Sequence, residues 1–293
     1  MSSIDILETP HTYELTPSVA NSEQPVLVFV HGWLLSRHYW QPIVHLLQSH
    51  YQCLVYDARG FGDSATRIDN SQFQDRPRGY SLGAYAQDLQ DLLKNLKIER
   101  AWIIGHSLGG SVALWTADLY PEVVEGVICL NAGGGIYLKE EFERFRNVGK
   151  QLVKFRPRWL QYIPFLNILF SRMMVARPLA IKWGHQRIID FIQADEAAAL
   201  GALLESTTEA EVHLLPQLVS RLEQPVYFIG GDKDKVMEAK YVNHLASFHP
   251  LFSSPESNVF MIANCGHLGM VEAPNEVAEI ITKVLNKYKK VNE

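Results

Sequence analysis

Between a strand-like run and a helix-like run, this chain carries Gly105-His106-Ser107-Leu108-Gly109, and no other stretch narrows its fold so much. Ala101 to Ile104 is apolar and reads as a buried strand. Leu108 to Tyr120, with Leu108, Val112, Ala113 and Trp115 at helical spacing, reads as the helix that follows. A serine on so sharp a strand-to-helix turn crowds its neighbours, so glycines stand where a Cβ would clash. The turn pushes the Ser107 hydroxyl out of the sheet edge, with the helix N-terminus behind it offering free N–H groups to a developing negative charge. Without its flanking elements, Gly-x-Ser-x-Gly is no more than a glycine-rich turn.

The remaining elements alternate. Ile4–Leu7 and Thr12–Leu15 read as short edge strands, broken by Pro10 and Pro17. Val26–Val30 is a continuous apolar run of the kind buried on both faces of a parallel sheet. A helix at Tyr39–Gln48, a strand at Tyr51–Tyr56, an amphipathic helix at Leu82–Leu96 and a strand at Val123–Leu130 follow. From about 136 to 219 only helical periodicity is visible. Strands return at Val226–Ile229 and Val259–Ile262, with helices near Lys240–Phe248 and Asn275–Tyr288. This order predicts an α/β fold: a mostly parallel sheet with helices on both faces. Its core spans residues 1–135 and 220–293. Residues 136–219 read as a helical cap at the carboxyl end of a strand, where open sheets bind ligands.

A serine hydroxyl needs a base, a group to orient that base, and donors for the oxyanion. His267, in the loop after the last strand, is placed to be the base. His11, His45, His50 and His249 read as surface or helix residues, His31 as a loop brace and His106 as a neighbour of the nucleophile. The acid should follow Val226–Ile229, where Gly231-Asp232-Lys233-Asp234 offers two carboxylates. Asp234 is favoured, with Asp232 as a turn residue taking backbone N–H groups. The preceding strand ends at the uncharged Asn131. The expected oxyanion donors are the backbone N–H of Leu108 and that of Trp33 in His31-Gly32-Trp33. The Trp33 ring either walls the pocket or packs in the core. A histidine base predicts a rate that falls below about pH 6–7.

With His31-Gly32-Trp33, Asp57-Ala58-Arg59-Gly60-Phe61-Gly62-Asp63-Ser64, the Ser107 turn, Gly231-Asp232-Lys233-Asp234 and Gly266-His267 before Glu272-Ala273-Pro274, the chain resembles the α/β-hydrolase superfamily. The likeness covers 26–64, 81–133 and 224–288. His31-Gly32-Trp33 is similar to the epoxide-hydrolase branch, whose nucleophile is an aspartate; Ser107 argues against that chemistry, as it does against dehalogenation. The Ser-Leu-Gly-Gly turn looks like esterases, lipases and acyl-transfer enzymes. Leu130-Asn131-Ala132 looks like plastid and cyanobacterial esterases acting on chlorophyll or prenyl esters. The resemblance implies acyl transfer through a Ser107–His267–Asp234 triad, ending in hydrolysis of a hydrophobic ester. Transfer to an alcohol would use the same triad, and product analysis with an acceptor alcohol separates the two. A slowly turning ligand-binding protein is the reading from another class.

Within the cap, 144–187 contains no Asp or Glu. Its ten basic residues are Arg144, Arg146, Lys150, Lys154, Arg156, Arg158, Arg172, Arg177, Lys182 and Arg187, leaving 17 basic against 32 acidic residues elsewhere. Phe145, Phe155, Trp159, Tyr162, Phe165, Phe170, Trp183, Met173 and Met174 are interleaved, and Pro157, Pro164 and Pro178 should divide the segment into short helices. Three readings stand: a lid over the site, a lid that also docks on an anionic membrane, and packing on the chain's own acidic surface. A net charge of −5 argues against generic nucleic-acid binding. No cysteine or histidine spacing suggests a metal, and no cofactor motif is present. Cys53, Cys129 and Cys265, with no basic and apolar leader at the start, predict a reducing, cytoplasmic setting.

Overall fold

The computed structural model describes residues 1–19, 24–66, 79–133 and 139–289. Eight strands form one sheet: β1 (Ser2–Ile6), β2 (Thr9–Leu15), β3 (Val26–Val30), β4 (Cys53–Tyr56), β5 (Ala101–His106), β6 (Val124–Leu130), β7 (Val226–Gly231) and β8 (Val259–Ile262). Their order is β1-β2-β4-β3-β5-β6-β7-β8. β1–β2 and β2–β4 pair antiparallel, and every other pair is parallel. The chain moves one way from β3 to β4 and the other way to β5, so the order reverses at β3. The crevice outside the carboxyl ends of β3 and β5 is therefore where such a sheet binds ligands.

The apolar runs predicted as strands are buried on both faces. Along β5, Ala101 and Ile103 point into one core cluster and Trp102 and Ile104 into the other. Val28 and Val30 of β3 oppose Leu27 and Phe29 in the same way. The first face is covered by α2 (Leu82–Asn95), α3 (Leu108–Leu119), α8 (Glu209–Arg221) and α9 (Ala239–Ala246), through Leu89, Val112, Leu218 and Val242. The second is covered by α1 (Gln41–Leu47) and α11 (Pro274–Asn286), through Ile43, Val277 and Ile281. Each fully buried side chain of this size contributes about 1.5–3 kcal/mol.

Two expectations are corrected. Pro10 does not break the edge: it lies inside β2, opposite Asp5, beyond the Tyr13–Leu15 segment that pairs with β4. Proline is tolerated where no inner neighbour needs its missing N–H. His11 and His249 are not surface residues. His11 is fully buried and donates from Nδ1 to the Thr9 carbonyl at 3.0 Å. His249 is buried, and its Nε2 donates to the Gln224 carbonyl at 3.1 Å.

Between β6 and β7 every element of the described residues is helical: α4 (Lys139–Lys154), a 3-10 turn (Arg158–Tyr162), α5 (Leu166–Phe170), α6 (Ile181–Gln193), α7 (Glu196–Ser206) and α8. The breaks fall at Pro157, Pro164 and Pro178. The stretch 134–138, where the cap was expected to begin, lies outside the described residues. Buried Asp190 ties α6 to the loop after β3, accepting from Ser36 Oγ at 3.0 Å and Gln186 Nε2 at 2.9 Å. Burial pushes its carboxyl up to about 7. Its folded pKa exceeds the unfolded one, so the unfolded chain binds fewer protons and stability falls as pH rises from about 4 to about 7. Asp190→Asn should therefore gain on the parent by on the order of 2 kcal/mol between pH 5 and pH 8. Thermal melts checking this should show the gap widening with pH; a constant gap would refute the assignment.

Candidate active site

Ser107 follows the innermost strand, and its backbone is strained for a residue with a side chain, at φ 52° and ψ −120°. Two glycines permit the turn. A Cβ on Gly105 would lie 2.1 Å from the Gly109 carbonyl oxygen, and one on Gly109 would lie 2.4 Å from that of Val30. The serine is half-buried.

His267 comes from the loop after β8 and is buried. Its Nε2 lies 3.2 Å from Ser107 Oγ and its Nδ1 2.8 Å from Asp234 Oδ2. With Nδ1–H donating to the carboxylate, Nε2 is left to accept from the serine. Asp234 follows β7, and three further donors converge on it. The Val236 and Met237 N–H groups reach Oδ1 at 2.8 and 2.9 Å, and Asn131 Nδ2 reaches Oδ2 at 2.9 Å. Burial raises the Asp234 pKa, but the imidazole and these hydrogen bonds outweigh it, and the net direction is down. The carboxylate is therefore held ionised. The structure thus brings Ser107, His267 and Asp234 together. Asp232 instead accepts from the Cys265 N–H at 3.3 Å, as a turn residue does.

Leu108 N–H opens α3, where no intrahelical partner exists. Leu108 and Gly32 line the same cavity behind the turn, about 10 Å³ in volume and walled by Val30, Phe61 and Tyr85. The loop after β3 thus faces the start of α3, and Trp33 sits in that loop. Its ring is half-buried, packs against the core and donates from Nε1 to the Ala199 carbonyl of α7 at 2.8 Å. His31 braces this loop: Nδ1 donates to Gly32 O at 2.8 Å and Nε2 accepts from Ala58 N–H at 2.9 Å.

Sequence reasoning missed four contributors. Asn131, set aside because it carries no charge, holds the carboxylate. His106 donates from Nε2 to the His267 carbonyl at 2.7 Å, and burial lowers its pKa to about 3, so the imidazole stays neutral. Met174 accepts from the His267 N–H at 2.8 Å. Glu272, buried in α10 (Gly269–Glu272), accepts from four backbone N–H groups. Gly266 and Leu268 flank the histidine, at 3.0 and 3.1 Å; Ala176 and Arg177 belong to the segment after α5, at 2.7 and 3.1 Å. The Glu-Ala-Pro motif signalled Glu272 without a role, whereas nothing in the sequence signalled Met174. Glu272→Ala would leave four donors without their acceptor, at about 1–3 kcal/mol for each that stays buried. Its melting temperature should fall by about 10 °C or more, with kcat lower than in Glu272→Gln. Parent-like melting would remove the clamp.

No group of three or more candidate metal ligands occurs among the described residues.

Residues 25–173 match the family described as alpha/beta hydrolase fold. An uncharacterized hydrolase of Bacillus subtilis, YugF, is 23% identical over 268 residues, covering 89% of this chain and 90% of its own. A bifunctional esterase/perhydrolase of Acinetobacter calcoaceticus is 24% identical over 227 residues, covering 73% of this chain and 76% of its own. Among solved structures, a thermophilic esterase from Thermogutta terrifontis superposes with a TM-score of 0.74 at 22% identity, over 99% of this chain and 100% of its own. That likeness is one of fold.

Proposed function

Because this chain belongs to the α/β-hydrolase fold family, we propose that it is a serine-dependent carboxylic ester hydrolase acting on a hydrophobic, lipid- or isoprenoid-like ester. The observation that carries the reading is the relay from Asp234 through His267 to Ser107, at 2.8 and 3.2 Å. The esterase named among the relatives supports it.

Ser107 Oγ attacks the ester carbonyl carbon while His267 Nε2 takes its proton. Asp234 holds the tautomer and stabilises the imidazolium. The N–H groups of Leu108 and Trp33 receive the oxyanion. As the carbonyl re-forms, the C–O bond to the leaving alkoxide breaks and His267 protonates it. Water then attacks the acyl-serine, giving its proton to His267, which returns it to Ser107. Acid and alcohol leave, and the enzyme is regenerated. The helical segment over the carboxyl ends of the strands acts as the cap that meets the acyl or alcohol chain. Three buried, unpaired thiols suit a reducing compartment such as the cytoplasm.

The test is a series of nitrophenyl esters graded in acyl length, with prenyl esters of one short acid beside it. Each methylene that becomes buried is worth about 0.8 kcal/mol, or roughly fourfold in kcat/KM. The rate should rise from acetate to medium or long chains. A series that peaks at acetate and ignores prenyl groups would overturn the hydrophobic substrate while leaving the triad standing.

A further inference from the structure

We propose that the exposed stretch Phe155–Met174, with the basic side chains around it, docks this protein on the surface of an anionic lipid bilayer. The proposal does not depend on the ester-hydrolase reading.

Exposure is the first ground. Phe155, Tyr162 and Phe165 are 77, 78 and 77% exposed, and Trp159 is 61% exposed. Leu169 and Met174 add further exposed apolar surface at 56 and 42%. Soluble surfaces rarely gather so many large apolar side chains in one short segment. Phenylalanine, tryptophan and tyrosine are the residues that settle at the boundary between headgroups and acyl chains.

Charge is the second ground. Nine of the ten basic residues of this region fall into two sets. Arg146, Arg156, Arg177 and Arg187 spend their guanidinium groups on backbone carbonyls: Leu204, Phe191, Asn264 and Met173 respectively, at 2.8 to 3.0 Å. Three of them brace the helical segment internally, and Arg177 ties it to the loop after β8. Arg144, Lys154, Arg158, Arg172 and Lys182 remain exposed. In sequence no acidic residue lies between 144 and 187, while the rest of the chain carries 32 acidic residues against 17 basic. An anionic plane would attract this side of the molecule and repel the remainder, which fixes an orientation as well as an affinity. Lys154 and Arg158 stand beside Phe155 and Trp159 in sequence, and all four side chains are exposed, so charge and apolar surface are offered by one short stretch.

Attachment is peripheral: among the described residues no helix is long and apolar enough to cross a membrane. Each basic side chain near an anionic surface contributes about fivefold in partitioning.

The experiment is vesicle flotation of the full chain, with phosphatidylcholine alone and with phosphatidylcholine mixed with phosphatidylglycerol. Two variants are compared, Lys154→Glu/Arg158→Glu and Trp159→Ala/Phe165→Ala, each checked for fold by circular dichroism and melting temperature. Flotation should be at least about tenfold stronger with phosphatidylglycerol, weakened by salt, and lost by about tenfold in either variant. Equal or absent flotation on the two vesicles overturns the proposal, as does binding unchanged in a folded variant. Should one variant not fold, the other decides. A dimer in gel filtration that the same substitutions dissociate also overturns it, because the patch would then face a second copy.

Discussion

Ser107→Ala should lower ester hydrolysis by about 10⁴-fold or more while leaving the fold intact. The nucleophile contributes one oxygen and little packing, so its removal opens no sizeable cavity. Its backbone, at φ 52°, is held by the close approach of Gly105 and Gly109, and alanine can occupy that conformation at a cost similar to that of serine. Melting temperature should therefore stay near that of the parent. Substrate KM should change little, because the hydroxyl acts on the transition state. Steady-state kinetics with a melting curve is the measurement. Retention of more than about one per cent of the parent rate would mean that another group attacks.

Asp234→Asn is the second large effect, at about 10³–10⁴-fold in kcat. An amide cannot satisfy what the carboxylate satisfies. Val236 and Met237 donate to Oδ1 and Asn131 donates to Oδ2. With the amide oxygen kept on the two backbone donors, its NH₂ group faces both Asn131 Nδ2 and His267 Nδ1. The histidine then takes the tautomer with Nδ1 accepting, and Nε2–H can no longer take a proton from Ser107. Asn131 loses an acceptor at the same time. Asp234→Asn should thus lose stability as well as rate, whereas Asp232→Asn, which removes only a charge at a turn, should keep most of both. Loss of activity in Asp232→Asn with retention in Asp234→Asn would exchange their roles.

How far the sequence carried these conclusions depended on the range of the interaction. Strands such as Val26–Val30 were legible because burial on both faces demands an unbroken apolar run. The turn at Ser107 was legible because a close backbone approach demands glycine. Helix breaks at Pro157, Pro164 and Pro178 were legible from one residue type. What escaped was tertiary. Pro10 looks like a breaker until β2 is known to lie near the sheet edge. His249 looks exposed until Gln224, 25 positions away, supplies its acceptor. Asn131 reads as an absent acid until Asp234 is seen beside it. The Glu272 carboxylate joins the loop of His267 to a segment almost a hundred residues earlier, and no local pattern encodes that pairing. The same limit applied to the basic segment: composition counts ten cations, and only the fold separates those that brace it from those that face outward.

The most direct measurement is intact mass and peptide mapping after treatment with a fluorophosphonate. One adduct per chain is expected, on the peptide carrying Ser107, formed much more slowly in His267→Gln. No adduct, or one at a different side chain, would contradict the claim that these three residues form a working nucleophile.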